Sequence, residues 1–394
     1  MNKINKDWKE VKLGDIGVFL RGFGISKKDL SDSGTPAIRY GDIYTKYDFI
    51  IKNISSFTNS KGTELKKGDI LFAGSGETIA EIGKSVAFID DFKALAGGDI
   101  IIFRPSIELD SAFLSYMLNT GKCRRDISVM GQGVIIAHIS SKSLQKLSVF
   151  LPSLDEQKRI ASALSKIDAY LENTIKLIEE KERFKRGIAK KLLTCKEGEN
   201  IPEARFKGFE DEWETKTLSS ISNIKKGEQK NKLDLIADGK YPVLNGGMNF
   251  SGYCNSYNRE ANTITISEGG NAGYVNFIKE KFWSSGHCYT LHDLKIDKYF
   301  LYQCLKNSEK RLMKLQLGTA LKNIRQSEIV EFELNIPKSI KEQEKIGGYL
   351  SLLDEEIDNL KKQKELIKEM KIGAMEKLLS GEVRLSKNAF NENI

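Results

Sequence analysis

Chemistry needs a few residue types at close, fixed spacing, and several stretches of this chain approach that requirement. Gly83-Lys84-Ser85 has the ending of a phosphate-binding loop, in which backbone N–H groups and a lysine cradle phosphate. That loop also needs a glycine at the place occupied here by Thr78, so the tripeptide reads as a turn into a strand starting at Ser85. Gly74-Ser75-Gly76 lacks the third glycine of a dinucleotide fingerprint. His287 and His292, near Cys288, have the right chemistry for zinc, yet no second cluster completes four ligands. The 6 prolines are nowhere adjacent, which excludes the Asp/Asn-Pro-Pro-aromatic loop of amino-methyltransferases. Acidic pairs concentrate on charged helical stretches, where they serve as solvated i, i+4 partners. No catalytic constellation remains, and a non-catalytic role is expected.

What remains is the chemistry of binding a polyanion. Arg21, Lys27, Lys28, Arg39, Tyr40, Lys84, Arg124 and Arg125 lie in or beside expected loops of the first half. Lys225, Lys226, Lys230, Asn245, Arg259, Asn271, Lys322 and Arg325 do so in the second. Gln132 lies between Gly131 and Gly133, and Gln316 lies near Gly318, in matching glycine loops that could approach a backbone closely. Lysines neutralise phosphate, while Arg, Asn and Gln can pair with purine edges in the major groove of duplex DNA. Lysine and arginine exceed aspartate and glutamate by 62 − 54 = 8, an excess compatible with nucleic acid without demanding it.

The elements that must position these residues are duplicated. LPSLDEQKRIASALSKIDAYLENTIKLIEEKERFKRGIAKKLL, from Leu151 to Leu193, returns as IPKSIKEQEKIGGYLSLLDEEIDNLKKQKELIKEMKIGAMEKLL, from Ile336 to Leu379. From Glu156-Gln157 and Glu342-Gln343 onward the copies align without a gap, at 343 − 157 = 186. Ile160, Leu164, Ile167, Leu171 and Ile178 in the first copy, and Ile346, Leu350, Leu353, Ile357, Leu360 and Ile367 in the second, step by four and three. Phe184, Ile188 and Leu192 are expected to finish the first seam, and Met370 and Ala374 to continue the second, which Lys364 interrupts. This is a heptad seam, the mark of a long helix packed on one partner. Pro152 and Pro337 stand where proline is allowed, at or before the first turn. Each helix would be roughly 58 Å long. Gly187 and Gly373, in equivalent places, mark either a close approach by the other helix or a partner, or a helix end or kink.

Each helix follows a module of mixed strands and short helices. In the first, Val11–Leu13 and Ile16–Leu20 read as a hairpin or strand, Pro36–Asp42 as a strand leaving into a turn, and Ser111–Thr120 as a helix. The stretch through Leu144, Leu147 and Val149 reads as amphipathic. In the second, Trp213, Gly227 and Tyr241–Gly246 repeat the places of Trp8, Gly22 and Pro36–Gly41. Thr263–Gly270 parallels Ile70–Glu77, and Gly318, Ile324 and Pro337 follow Gly133, Ile139 and Pro152 at 318 − 133 = 185. The expected boundaries are a first module over 1–153, a helix over 154–195, a linker and second module over 196–336, a helix over 337–385 and a tail over 386–394. Two modules on one frame with divergent loops would read two ligands at a fixed separation. Along DNA, a helix of this length caps that separation at roughly 17 base pairs, and readers on one face would sit about 10 base pairs apart.

The 5 cysteines are scattered without CxxC spacing, and no apolar run reaches membrane-spanning length, so a cytoplasmic protein with no membrane association is expected.

The order module, long helix, module, long helix resembles the specificity subunit of type I restriction-modification enzymes. Glu-Gln-x-x-Ile and Lys-x-Gly-x-x-x-Lys-Leu-Leu in both copies carry the resemblance, with Trp8, Trp213, Gly133 and Gly318 in the modules. It implies an α+β chain of two pseudo-repeated mixed α/β target-recognition domains, separated by two long helices forming an antiparallel coiled coil. Such a subunit is non-catalytic. Each target-recognition domain binds half of a split double-stranded DNA sequence, and the helices set the spacer and dock two methyltransferase subunits. Translocating nuclease (restriction) subunits join that core. S-adenosylmethionine, ATP and Mg belong to those partners. The base-reading loops are the least alike within the family, so no base contact carries over by motif. The alternatives are a stand-alone bipartite DNA-binding regulator and a coiled-coil scaffold for proteins.

Overall fold

The computed structural model describes residues 7–133, 137–318 and 322–385. The expected tail at 386–394 lies outside them. The chain divides into two compact units, one of residues 1–173 with 364–394, the other of residues 174–363. The division differs from the expected boundaries because it falls within the long helices, Leu154–Leu193 and Ile340–Leu379. Each unit therefore holds one module, the start of the helix that follows it and the end of the other long helix.

In the first unit, a four-stranded antiparallel sheet orders Gly17–Arg21, Ile100–Pro105, Ile70–Ala73 and Ser85–Ala87. Ile70–Ala73 is buried along its whole length because both faces of the sheet are covered. Ile70, Phe72, Ile101 and Phe103 point into a core shared with Ile160, Leu164, Met375 and Leu378 of the long helices. Leu71, Ala73, Ile100 and Ile102 point to a second core on the other face, the two-residue alternation of a strand. A five-stranded sheet carries Thr35–Ile38 parallel to Leu95–Ala96. Lys9–Lys12 pairs with Ser148–Leu151 and so delivers the chain to Pro152.

The second unit repeats this plan. Its antiparallel sheet orders Asn223–Lys226, Cys288–His292, Thr263–Ser267 and Val275–Ile278. Tyr241–Leu244 runs parallel to Trp283–Ser284, and Glu214–Thr217 pairs with Glu333–Ile336. Trp213, Ile266, Phe300, Ile346 and Leu350 share its core.

Local readings change in three places. Val11 to Leu20 is not a hairpin: a helical turn, Leu13–Ile16, buries Leu13 and Ile16 and sends the flanking strands to different sheets. The turn expected at Gly41-Asp42 is the helix Tyr40–Thr45, started by the Asp42 carboxylate accepting the Arg39 N–H at 3.0 Å. The amphipathic stretch before Pro152 is a helical turn, Ser141–Leu144, followed by the strand Ser148–Leu151.

Glutamine ties each module to its helix. Gln157 accepts the Asp110 N–H at 3.0 Å and donates to the Pro152 carbonyl at 2.9 Å. Gln343 does the same with Asp297 at 2.9 Å and Pro337 at 2.8 Å. Asp110 and Asp297 in turn cap the module helices Ser111–Leu118 and Lys298–Asn307. The neighbouring glutamates are also buried: Glu156 meets Arg384 at 2.7 Å, and Glu342 meets Arg205 at 2.7 Å.

Within each unit the two helical segments run antiparallel. Ile160, Leu164, Ile178, Ile346, Leu350, Ile357 and Ile367 are buried, while Ile167, Leu171, Leu353 and Leu360 are half-buried. Phe184 and Met370 do not join the seam; they are 53% and 49% exposed. The regular step of three and four places Lys185 and Lys371 there instead. Lys371 pairs with Asp168 at 2.6 Å in the first unit, where the Tyr116 hydroxyl also donates to Asp168. Lys185 pairs with Asp354 in the second, where Gln303 donates at 2.7 Å. Both helices continue through Gly187 and Gly373, which rules out the helix-end reading, and among the described residues no other segment lies within 4 Å of a Cβ added at either, which rules out close approach by the other long helix.

Lys371→Met would leave the Asp168 carboxylate buried without its ammonium partner. The substitution is expected to lower stability by about 3 kcal/mol in urea unfolding, with Asp168→Leu/Lys371→Met recovering most of the loss.

Candidate nucleic-acid interface

Three segments meet at the same edge of the buried sheet in each module. The first is the end of the leading strand, Arg21-Gly22 and Lys226-Gly227. Gly22 N–H donates to the Ile100 carbonyl and Gly227 N–H to the Cys288 carbonyl, both at 2.8 Å. A Cβ would fall 1.8 Å from the Gly97 oxygen in one and 2.2 Å from the Ser285 oxygen in the other, so glycine is required at both. The second segment leaves the buried strand. Gly74 N–H bonds the Asp99 carbonyl at 2.7 Å, and Glu268 N–H the His287 carbonyl at 2.9 Å. The third is a glycine hairpin. Gln132 and His138 exchange backbone hydrogen bonds of 2.9 and 2.8 Å, as Leu317 and Asn323 do at 2.8 and 3.1 Å.

Ile139 and Ile324 close the equivalence by donating to the Gly74 and Glu268 carbonyls at 3.0 and 2.9 Å. Gly74 therefore matches Glu268 and Ser75 matches Gly269, one residue away from the alignment of Thr263–Gly270 with Ile70–Glu77. Hydrogen-bond register, which sequence spacing does not carry, sets this correspondence. In the first module the edge opens as a cleft of about 520 Å³ lined by Arg21, Ser75, Asp99, Gln132 and His138.

The candidate side chains fall into two groups. Arg21, Lys27, Lys28, Tyr40, Arg125 and Gln132 are exposed in the first module, as are Lys225, Lys226, Asn271, Lys322 and Arg325 in the second. Lys226 reaches Glu268 at 2.6 Å; burial raises the Glu268 pKa, but hydrogen bonds from Lys226 and Tyr289 outweigh it and hold the pKa below the ordinary value. Asn245 is half-buried, and its Oδ1 has no hydrogen-bond partner among the described residues. Lys230 is half-buried and lies 3.8 Å over the Trp283 ring.

The second group is held within the modules. Lys84 donates to the Tyr47 carbonyl at 2.6 Å, and burial lowers its pKa. Gly83, at φ 69°, turns the chain into Ser85–Ala87, so the phosphate-loop likeness ends in a structural lysine. Arg39 pairs with Asp42 at 3.1 Å. Arg124 donates to the Ile82 carbonyl and Gln316 to the Ala272 carbonyl. Arg259 bonds Thr290 Oγ1 at 2.8 Å and the Lys226 carbonyl at 2.9 Å. Within the matching glycine loops, the residue in the place of Gln132 is Leu317, next to Gln316. His138, Leu317 and Asn323 escaped sequence reasoning, although the offset of 185 that relates Gly133 to Gly318 also relates His138 to Asn323.

Among the described residues no group of three or more His, Cys, Asp or Glu could hold a metal ion. His292 is bonded to Thr290 at 2.8 Å, and His287 lies 3.5 Å from Glu268. No helix among the described residues is long and apolar enough to cross a membrane.

A family model described as the type I restriction modification DNA specificity domain matches residues 5–180 and 210–369. A Mycoplasma pneumoniae protein named as a type I specificity subunit (S.MpnORF638P) is 40% identical over 151 residues, 38% of this chain and 40% of that one. A Mycoplasma genitalium counterpart (S.MgeORF438P) is 33% identical over 43% of this chain and 45% of its own length. The chain thus spans less than half the length of these two relatives in the matched region. The MjaVIII specificity subunit of Methanocaldococcus jannaschii is 25% identical over 97% of this chain and 94% of that one. In fold, the chain is similar to the crystal structure of a type I restriction-modification S subunit from M. genitalium, with a TM-score of 0.69 and 22% identity, covering 96% of this chain and 97% of that one.

Exposed and internal cations should separate in solution. Arg21→Gln is expected to leave stability within about 0.5 kcal/mol while reducing the slope of log affinity for duplex DNA against log salt by about 1. Lys84→Met should leave that slope unchanged and cost about 1–3 kcal/mol in denaturant unfolding, because the Tyr47 carbonyl loses its donor.

Proposed function

The chain belongs to the type I restriction-modification DNA specificity family, and on that premise we propose that each of its modules binds one half of a split DNA sequence. The observation that carries this reading is the edge just described: one backbone framework, held by the same hydrogen bonds in both units, bears different side chains. A repeated frame with different readers suits an asymmetric, bipartite site. Exposed lysines and arginines around each edge would contact phosphates and fix the register of the duplex.

The helices serve as the ruler for the spacer and as the docking surface for two methyltransferase subunits. Two features recur at a step of 186 and support docking of two copies of one partner. Phe184 and Met370 are exposed, and Gly187 and Gly373 stand three residues further along the same helical face, with open space before them. An apolar anchor beside a bare backbone lets a partner helix come close. Translocating nuclease subunits would join the resulting core, and S-adenosylmethionine, ATP and Mg would serve those partners, not this chain. Such a complex acts on DNA in the cytoplasm.

Co-expression of the chain with its genomic methyltransferase, followed by mapping of modified adenines, should give one split motif. Methylation that persists unchanged without this chain would remove the recognition role and leave the scaffold reading. Exchange of residues 205–336 for another member's second module should replace one half-site only. Adding one heptad after Ile167, with a matching heptad in the second helix, should lengthen the spacer and leave both half-sites as they were.

A further inference from the structure

The glycine hairpins of the two modules carry the most specific difference between them. Gln132 and His138 face each other across one; Leu317 and Asn323 occupy the same places in the other. All four are exposed, and Leu317 is 44% exposed, whereas the next residues, Ile139 and Ile324, are buried. The core therefore fixes the backbone of each hairpin and makes no demand on these four side chains.

Each hairpin also has a matched residue beneath it. In the first module His138 Nδ1 lies 3.0 Å from the Ser75 hydroxyl. In the second, the equivalent of Ser75 is Gly269, and a Cβ there would lie 2.4 Å from Asn323 Oδ1. Serine orients the imidazole, and glycine makes room for the amide. The supporting residue differs together with the side chain above it, so each set is a positioned group.

We infer that Gln132 with His138, and Leu317 with Asn323, determine base identity at one position in each half-site, the second pair selecting an A·T base pair. This rests on the reading that the modules bind duplex DNA. Side chains exposed at a sheet edge can enter the major groove, where an asparagine amide pairs with adenine N6 and N7 and an apolar side chain meets the thymine methyl group. Gln132 supplies an amide beside an imidazole in the first module, with Arg21 in the same cleft, and so presents hydrogen-bonding groups where the second module presents an apolar one.

The test transplants one set onto the other frame. Gly269→Ser/Leu317→Gln/Asn323→His in the full chain, co-expressed with its genomic methyltransferase, should reduce methylation at the original motif about tenfold or more and change one position of the second half-site. The first half-site and the spacer should stay the same, and their persistence shows that the variant folds and assembles. Asn323→Ala is the gentler companion and should relax base preference at that single position. A second half-site read unchanged by both variants overturns the inference. A wild-type chain that supports no split motif would instead remove the proposal of two DNA-binding modules on which it rests.

Discussion

A lysine set between two antiparallel helical segments, buried in one unit and half-buried in the other, and paired with an aspartate on the facing segment, is the constraint on which each unit depends. Burying two charges costs desolvation that their attraction only partly returns, so the pair adds little net stability over an apolar seam. Its effect is on register. If the segments slide by one turn, Lys371 loses Asp168 or Lys185 loses Asp354, and an unpaired charge is left against the seam, buried in the first unit and half-buried in the second. Apolar seam residues alone tolerate such sliding much better, because one aliphatic side chain substitutes for another. The aspartates are fixed in turn from the modules, by Tyr116 in one unit and Gln303 in the other. Helix register and module position are thus set by one network.

The glutamine latches extend the same logic. Gln157 and Gln343 each hold the start of a module helix and the carbonyl of the proline that precedes the long helix. A module cannot turn about its helix without breaking these buried and part-buried bonds. An element proposed to measure distance along DNA needs this stiffness at its ends more than along its length.

Much of this framework was legible in the sequence because it is duplicated. Repetition at a step of 185 or 186 revealed the long helices, the Glu-Gln pair and the glycine hairpins, and a shared local spacing revealed Trp8 with Trp213. Heptad spacing revealed the seam, but the preference for apolar residues pointed to Phe184 and Met370 where the step itself led to Lys185 and Lys371. Local chemistry misled where the structure resolved a competition: the Asp42 carboxylate starts a helix where a Gly-Asp pair suggests a turn. The candidate edge was the least legible part. Lys84, Arg124, Arg259 and Gln316 have the composition of DNA contacts, yet their donors satisfy carbonyls inside the modules. Long cationic side chains can cap buried backbone as well as meet solvent, and only packing decides between the two.

The same physics explains why the candidate edge escapes pattern recognition. Ile139 and Ile324 are fixed by burial, and Gly22 and Gly227 by close backbone approach, so these positions recur in both halves. His138 and Asn323 are fixed by neither, and their identities are free to differ as long as the residue beneath accommodates them. Ser75 and Gly269 show the size of that accommodation, a hydroxyl in one case and an absent Cβ in the other. A framework built this way separates two demands that usually conflict. The buried sheet and the seam hold the geometry, while a hairpin exposed on one edge changes its chemistry without disturbing the core. Variation at such exposed positions, on a frame whose buried sheet and seam are repeated, is what the proposal of two readers requires.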